Sequence, residues 1–205
     1  TISGTSVAKY TANGTMSSDQ NQSQVLEKMA QCMAGTVTAT TWGIHAGKYV
    51  APVMSLSQSD IVGDISYSAG VAEADLYNGV KGQFISSENL YVPTDFTPYR
   101  NAAAYAIDGR ELWTNVDFIF TNSIQRVWNL SRIYVEDQRN GFTIRASFSY
   151  KCWALQVGDR VTFTSAFLGQ SSKVYRIISK RYSIDSAVEH TLKEDSAAIW
   201  DVAEN

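Results

Sequence analysis

The stretch WALQVGDRVTFTSAFLGQSSKVYRIISKRYSI, residues 153–184, decides the fold class. It opens with the turn residues Val157, Gly158 and Asp159 and then alternates apolar and polar side chains through two runs. An alternation of period two is typical of strands that bury one face. The stretch therefore predicts two antiparallel strands, at residues 159–165 and 173–184, joined by a short turn.

Further strand patterns lie on both sides of this stretch. The short connections predict that the runs at residues 142–153 and 188–193 complete an antiparallel meander of four strands. Earlier in the chain, Gly43 and Gly47 bound a five-residue segment that predicts a hairpin loop between two strands. Residues 86–109 contain two prolines and an alanine run, and predict a long irregular excursion. The earlier strand candidates are residues 7–11, 36–42, 48–53, 63–68, 76–85 and 111–120.

Two segments have helical spacing of their apolar residues. Residues 22–34 follow Asn21, a good N-cap, and end before Gly35. Residues 122–139 begin with Asn122 as a second N-cap and end before an Asn-Gly pair. Together these patterns predict an α+β fold with mostly antiparallel β structure and one long amphipathic helix. We place a seam near residue 60, which predicts a small helix-plus-hairpin subdomain at 1–60 and a larger β domain with helix 122–139 at 61–205.

Charge and cysteine content exclude several classes of protein. The 205 residues carry 17 basic and 20 acidic side chains, a net charge of −3, with no basic stripe of the kind that grips nucleic acid by its phosphates. Two cysteines 120 positions apart support neither a disulfide scaffold nor a zinc site. No apolar run reaches 18 residues, so no membrane span is predicted. The chain begins at Thr1 without a targeting segment, and we expect a piece of a longer protein.

The sequence contains few candidates for catalytic groups, phosphate-binding loops or metal ligands. His190 shares a strand face with Val188 and Leu192, which predicts a satisfied or rim histidine rather than a general base. His45 lies in the predicted hairpin loop, and the GIHAGK run at residues 43–48 is one residue short of a phosphate-binding loop. The sequence therefore predicts no catalytic, cofactor-binding or metal site, no cofactor and no enzymatic activity. Four carboxylates also lack the spacing of a calcium loop: Asp60, Asp64, Glu73 and Asp75.

Several phrases resemble one family when they are read in chain order. The phrase FIFTNSIQRVWNLSRIYVEDQR (118–139) is followed by CWALQVGDRVTFTSAFLGQSSKVYRIISKRY (152–182) and VEHTLKEDSAAIWD (188–201). Together with three earlier phrases they resemble the tail tip attachment, or host-specificity, proteins of lambda-like siphophages and related prophage tail proteins. The earlier phrases are VLEKMAQCMAGTVTATTWGIHAGKYVAPV (25–53), LSQSDIVG (56–63) and ADLYNGVKGQFISSENLYVPTDF (74–96). The resemblance covers about residues 20–202.

The resemblance implies a structural protein of the virion tail tip, with a β-barrel or sandwich like those of tail tubes and baseplate hubs. Three copies would form a ring that closes the tail tube, carries host-attachment modules and lines the path for DNA ejection. The implied partners are the chain itself, as a homotrimer, and other tail-tip and tail-tube proteins. The genomic DNA would pass without specific binding. Assembly in the host cytoplasm and a final location at the tail tip are implied as well.

Two alternatives stay open. The first is a carbohydrate-binding β module for host recognition, since sugars stack on exposed aromatic rings. Trp128, Trp153 and Trp200 fall at core-like positions, which leaves Trp42 and Trp113 as candidates for such stacking. The second is an enzyme such as a cell-wall hydrolase, which would need a paired acid and base that the sequence does not offer.

Overall fold

The computed structural model describes residues 8–16, 19–38, 43–182 and 187–201. Helices and strands are numbered in chain order. The helices are α1 (Gln22–Gln31), α2 (Ala102–Asp108), α3 (Ile124–Arg139) and α4 (Ala197–Trp200). The strands are β1 (Thr36–Thr38), β2 (Gly43–His45), β3 (Met54–Ser57), β4 (Ile61–Ser68), β5 (Gly79–Lys81), β6 (Gln83–Ser86), β7 (Val92–Asp95), β8 (Tyr99–Arg100), β9 (Trp113–Asn115), β10 (Thr143–Phe148), β11 (Arg160–Ser165), β12 (Gln170–Tyr182) and β13 (Val188–Glu194).

The chain divides into two compact units, and each is built from separate segments of sequence. The first unit comprises Thr1–Gly47, Leu76–Gln138 and Trp200–Asn205, and the second comprises Lys48–Asp75 and Arg139–Ile199. These units group residues by contact. The division into separate domains at residues 1–60 and 61–205 stays a prediction.

The second unit is a six-stranded sheet in the order β3-β11-β12-β13-β10-β4, curled into a half-barrel. All neighbouring strands are antiparallel except β3 and β11, which run parallel. The α+β class with mostly antiparallel strands is therefore confirmed. In the part of the chain that the structure describes, β3 and β4 form the two edges and do not pair with each other, so the sheet is not a closed barrel.

One face of this sheet carries the core that the alternating pattern predicts. Val161 and Phe163 in β11 are fully buried, while Thr162 between them is not. Phe163 packs edge-on against Tyr175 of β12, and Phe142 packs against the same ring. The other buried core residues are Leu56, Ile144, Ala146, Phe148, Cys152, Leu155, Ile177 and Leu192.

The predicted four-strand meander is wrong at its first strand. β10 pairs with β13, with Ile144 opposite Leu192, and not with β11, the next strand in sequence. A 3-10 turn at Tyr150–Ala154 leads the chain away from β10 instead. The Lys180 ammonium of β12 donates to the carbonyls of Trp153 (2.7 Å) and Leu155 (2.6 Å), so it satisfies backbone acceptors in that connection. Although β10 and β11 are close in sequence, they are therefore not neighbours in the sheet.

The first unit contains a three-stranded sheet in the order β8-β5-β9 and the β6–β7 hairpin. Its core lies between these strands and α3, whose Val127, Leu130 and Val135 are buried. The excursion predicted at residues 86–109 is instead regular: it contains β7, β8 and α2. The α2 helix is capped by Asn101, whose side chain accepts from the Ala104 amide.

The helix predictions are confirmed in position and differ at the ends. Asn21 caps α1 as predicted, because its side chain accepts from the Ser23 amide at 3.0 Å, although α1 is shorter than residues 22–34. The α3 helix begins at Ile124, and the carbonyl of Ser123 accepts its first backbone hydrogen bond, from Val127. Asn122, the predicted N-cap, lies one residue earlier than Ser123, and its side chain accepts from the Asn13 side-chain amide group at 3.1 Å.

The first predicted hairpin differs in which residues form its second strand. β1 pairs with β2, so Gly43 lies in the second strand rather than in a loop, and residues 48–53 form no strand. Gly47 is buried, and its amide donates to the Met33 carbonyl near the end of α1. A β-carbon at Gly47 would come within 2.7 Å of that carbonyl oxygen, so a side chain would not fit. The run at residues 8–11 forms no strand either.

Candidate functional site

His190 is a core residue. It is fully buried in β13 between Val188 and Leu192, as its face of the strand predicted. Its Nε2 lies 3.2 Å from the Cys152 carbonyl oxygen, and its ring packs against Phe148. Burial lowers the pKa of His190, and the Lys180 ammonium lowers it further. A neutral, enclosed imidazole of this kind has no route to a substrate.

The four carboxylates from the sequence do not converge. Asp60 caps the turn that follows β3, because its Oδ2 accepts from the backbone amide (2.9 Å) and hydroxyl (3.0 Å) of Ser57. Burial acts to raise the pKa of Asp60, but these hydrogen bonds and the Lys151 ammonium outweigh it and hold the pKa below its usual value. Among the described residues, no three His, Cys, Asp or Glu side chains form a group able to hold a metal ion.

Cys32 and Cys152 are buried free thiols. Burial raises the pKa of both, so both stay protonated at neutral pH and are weak nucleophiles. His45 lies in β2, and the GIHAGK run leads from a strand into irregular chain, so it presents no helix N-terminus to a phosphate. None of the helices within the described ranges is long and apolar enough to cross a membrane.

The best-organised surface is the outward face of the β8-β5-β9 sheet in the first unit. Gly79 of β5 is paired with Arg100 of β8 on one side and with Trp113 of β9 on the other, so the three residues form one row. The next residue of β5, Val80, is fully buried on the opposite face. We call this outward side the Trp113 face.

The six-membered ring of Trp113 lies against Gly79. A β-carbon at Gly79 would come within 2.4 Å and 2.5 Å of two ring carbons, so only glycine admits the ring in this position. The indole Nε1 donates to Glu111 Oε2 at 3.2 Å, and Arg100 Nη1 donates to Glu111 Oε1 at 2.9 Å. One carboxylate thus connects the two outer residues of the row. The Trp113 side chain keeps 36% of its surface exposed.

A buried asparagine positions the segment that leads to Trp113. The Asn78 side chain donates to Asp108 Oδ2 and to the Arg110 carbonyl, both at 2.8 Å, and accepts from the Leu112 amide at 2.9 Å. Asn78 is fully buried, and its three bonds tie residues 108–112 to the start of β5.

An open pocket of about 490 Å³ lies beside the ends of β5 and β9. Lys81 and Asn115 are paired two residues beyond Gly79 and Trp113, so they lie on the same face about 7 Å further along the strands. Asp117 accepts from the Gln83 amide at 3.0 Å at one side of this cavity. The remaining lining residues are Gly82, Asp95, Phe96 and Pro98.

Only part of this surface is predictable from the sequence. Trp113 was a predicted stacking candidate, but Arg100 and Lys81 were missed, since strand register alone brings them beside it. Two other tryptophans were wrongly placed in the core: Trp128 is 41% exposed and Trp153 is 42% exposed. Trp200 is buried as predicted, and Trp42 lies outside the described residues.

Trp153 belongs to a cluster of exposed aromatic rings in the second unit. It stacks on Tyr150 with 5.1 Å between ring centroids and packs against Tyr182 at 4.7 Å. Its ring is therefore flanked by aromatic rings of its own unit.

Comparison with known proteins identifies the fold. The sequence matches no protein-family model and no curated protein. A chain from the virion of a native gene transfer agent particle superposes with a TM-score of 0.77 at 14% identity, over 94% of this chain and 43% of that chain. The 43 kDa tail protein of prophage MuSo2 from Shewanella oneidensis superposes with a TM-score of 0.52 at 10% identity, over 91% of this chain and 56% of that chain.

This chain shares its fold with virion and phage-tail proteins. At 14% and 10% identity the similarity concerns the fold alone. The chain spans about half of each solved relative or less, so those proteins contain substantial parts that have no counterpart in this sequence.

Proposed function

We propose that this chain is a structural component of a phage-type tail, located at the tail tip as part of a baseplate hub. In this role three copies form a ring that closes the tail tube, carries host-attachment modules and lines the path for DNA ejection. The observation that carries the proposal is the superposition on a virion chain over 94% of this chain, with a TM-score of 0.77.

The open half-barrel supports assembly with neighbours. Its edge strands, β3 and β4, are four and eight residues long and leave one side of each strand without a partner strand in the described part of the chain. Free strand edges pair readily with other chains. A contact between the β3 edge of one copy and the β4 edge of the next would be heterologous, and such contacts form a closed ring when the rotation from copy to copy closes.

The charge of the chain suits a channel through which DNA passes. A net charge of −3, without a basic stripe, gives no array of cations to hold phosphates. The side chains that could act in catalysis or bind a metal ion also support a structural role. His190 and both cysteines are buried, and Asp60 serves a turn.

Deletion and complementation in the phage or element that encodes the chain would test this proposal. We expect particles lacking the chain to have incomplete tails, and purified wild-type particles to contain it in a fixed ratio to the tail-tube protein, measured by quantitative mass spectrometry. Complete, infectious tails without the chain would overturn the proposal.

A further inference from the structure

We infer that the Trp113 face is a binding site for a neutral saccharide. This inference goes beyond the proposed tail role and does not depend on it. It rests on the aligned row of Arg100, Gly79 and Trp113 and on the open pocket lined by Lys81 and Asn115, which are paired further along the same face.

The first argument is the fixed aromatic platform. The Trp113 ring is held against Gly79 on one side and by its hydrogen bond to Glu111 at the indole nitrogen, so its orientation is set before any ligand arrives. A pyranose ring presents a flat face of C–H groups that packs on such an indole. Preorganisation of this kind lowers the entropic cost of binding.

The second argument is the arrangement of polar groups beside the platform. Arg100 and Lys81 supply hydrogen-bond donors, Glu111 and Asp117 supply acceptors, and Asn115 supplies both. Sugar hydroxyl groups donate and accept in the same way, so an oligosaccharide stacked on Trp113 can place its next unit over the cavity. A volume of about 490 Å³ lies within the range of small-molecule sites.

The third argument is charge, which separates a saccharide from other occupants. The face and cavity hold two cations, Arg100 and Lys81, and three carboxylates, those of Glu111, Asp95 and Asp117. A net negative surface disfavours nucleic acid. The cores of protein–protein interfaces are depleted of charged residues, whereas charged side chains surround Trp113. A neutral ligand rich in hydroxyl groups fits this surface best.

The test begins with the full 205-residue chain on an array of bacterial surface glycans and neutral oligosaccharides. The strongest neutral ligand is then titrated while the Trp113 indole resonance is followed by 1H–15N NMR. We expect shifts at Trp113 and at the backbone amides of β5 and β9. No binding on the array, or shifts confined to other parts of the chain, would overturn the inference.

Variants separate stacking from general effects. Trp113→Ala should lower affinity about tenfold or more, and Gly79→Ala should do the same while keeping the tryptophan, because the new β-carbon displaces the ring. Trp153→Ala is the matched control, an exposed tryptophan of the second unit, and should bind as the wild type does. Folding of each variant is checked by its NMR spectrum.

Equal binding by folded Trp113→Ala would overturn the inference, as would preferential binding of a lysine-rich peptide over every neutral glycan. Neither result would affect the proposed tail role, which is tested by particle assembly.

Discussion

Arg160 and Asp195 form a buried ion pair in the half-barrel. The guanidinium Nε of Arg160 lies 2.6 Å from Asp195 Oδ2, and the two side chains are 5% and 0% exposed. The second carboxylate oxygen of Asp195 accepts from the Ser196 amide at 2.9 Å, and the guanidinium lies over the Tyr49 ring. The pair therefore connects the start of β11, the segment after β13 and the segment before β3.

Removing one member of this pair should be strongly destabilising. Asp195→Ala leaves a buried guanidinium without its carboxylate, and we expect a loss of about 3–5 kcal/mol in the free energy of unfolding, measured by urea denaturation. Lys173→Ala is the control, since Lys173 pairs with Glu194 at 2.9 Å while 43% of its side chain is exposed. It should change stability by about 1 kcal/mol or less. Similar losses in both variants would contradict this account of the buried pair.

The buried His190 predicts a loss of stability in mild acid. Burial and the nearby Lys180 ammonium lower its folded-state pKa, while hydrogen bonding to the Cys152 carbonyl opposes them. The unfolded chain therefore binds a proton first, near the ordinary histidine pKa of about 6.5. The stabilisation is fully present above that pH and is lost as the pH falls below it.

Unfolding measured between pH 7.5 and pH 5 would show this loss. His190→Gln should be less stable than the wild type at pH 7.5 and should vary less over the same range. A wild-type stability that stays constant from pH 7.5 to pH 5 would contradict the prediction.

Gly82 should tolerate no side chain. Its φ is +152°, and a β-carbon would lie 2.2 Å from the Val116 carbonyl oxygen. Because the neighbour is backbone, relief requires moving β5 or the segment after β9. We expect Gly82→Ala to lower the free energy of unfolding by more than about 3 kcal/mol, from conformational strain and overpacking together.

Gly109→Ala is the matched control for Gly82→Ala. Gly109 also has a positive φ, +67°, but a β-carbon there would meet nothing within 4 Å. Only the left-handed backbone is penalised, which costs about 1–2 kcal/mol. If the two substitutions cost the same in thermal denaturation, the close approach to Val116 has no energetic effect.

Asn78 should be essential for the conformation of residues 108–112. Asn78→Ala removes three buried hydrogen bonds and leaves the Leu112 amide and the Arg110 carbonyl without that partner. We expect a loss of about 2–4 kcal/mol and faster hydrogen exchange at the Leu112 amide. Asn89→Ala, which removes one exposed bond to Thr94, should stay within about 0.5 kcal/mol of the wild type. Unchanged exchange at Leu112 would contradict the role of Asn78.

The strands of the half-barrel were predictable where one face is buried and the other is not. β13 alternates in burial from residue 188 to 193, β11 does so after Arg160, and their predicted limits, 159–165 and 188–193, differ from the observed ones by one residue. Which strands lie beside them in the sheet was less predictable. The pairing of β10 with β13 joins residues such as Ile144 and Leu192, which are distant in sequence, and no local pattern encodes it.

The candidate site was predictable only at Trp113. The row it forms with Gly79 depends on a parallel pairing of strands, and the sequence carries no short turn to announce such a pairing. Trp128 was misplaced for a related reason. It follows the buried Val127 on α3, but its indole lies at the rim, where it donates to the Thr97 carbonyl at 3.2 Å. Large aromatic residues with a polar atom occupy such rims as readily as cores.

A ring of three copies at the tail tip can be tested by a cryo-electron microscopy reconstruction of the tail tip of particles that contain this chain, with the chain located by a bound antibody fragment. We expect three copies of the fold in a ring around the tail axis, each with its half-barrel sheet continuous with a neighbouring chain. A chain absent from the tail, or present as a single copy away from the axis, would contradict it.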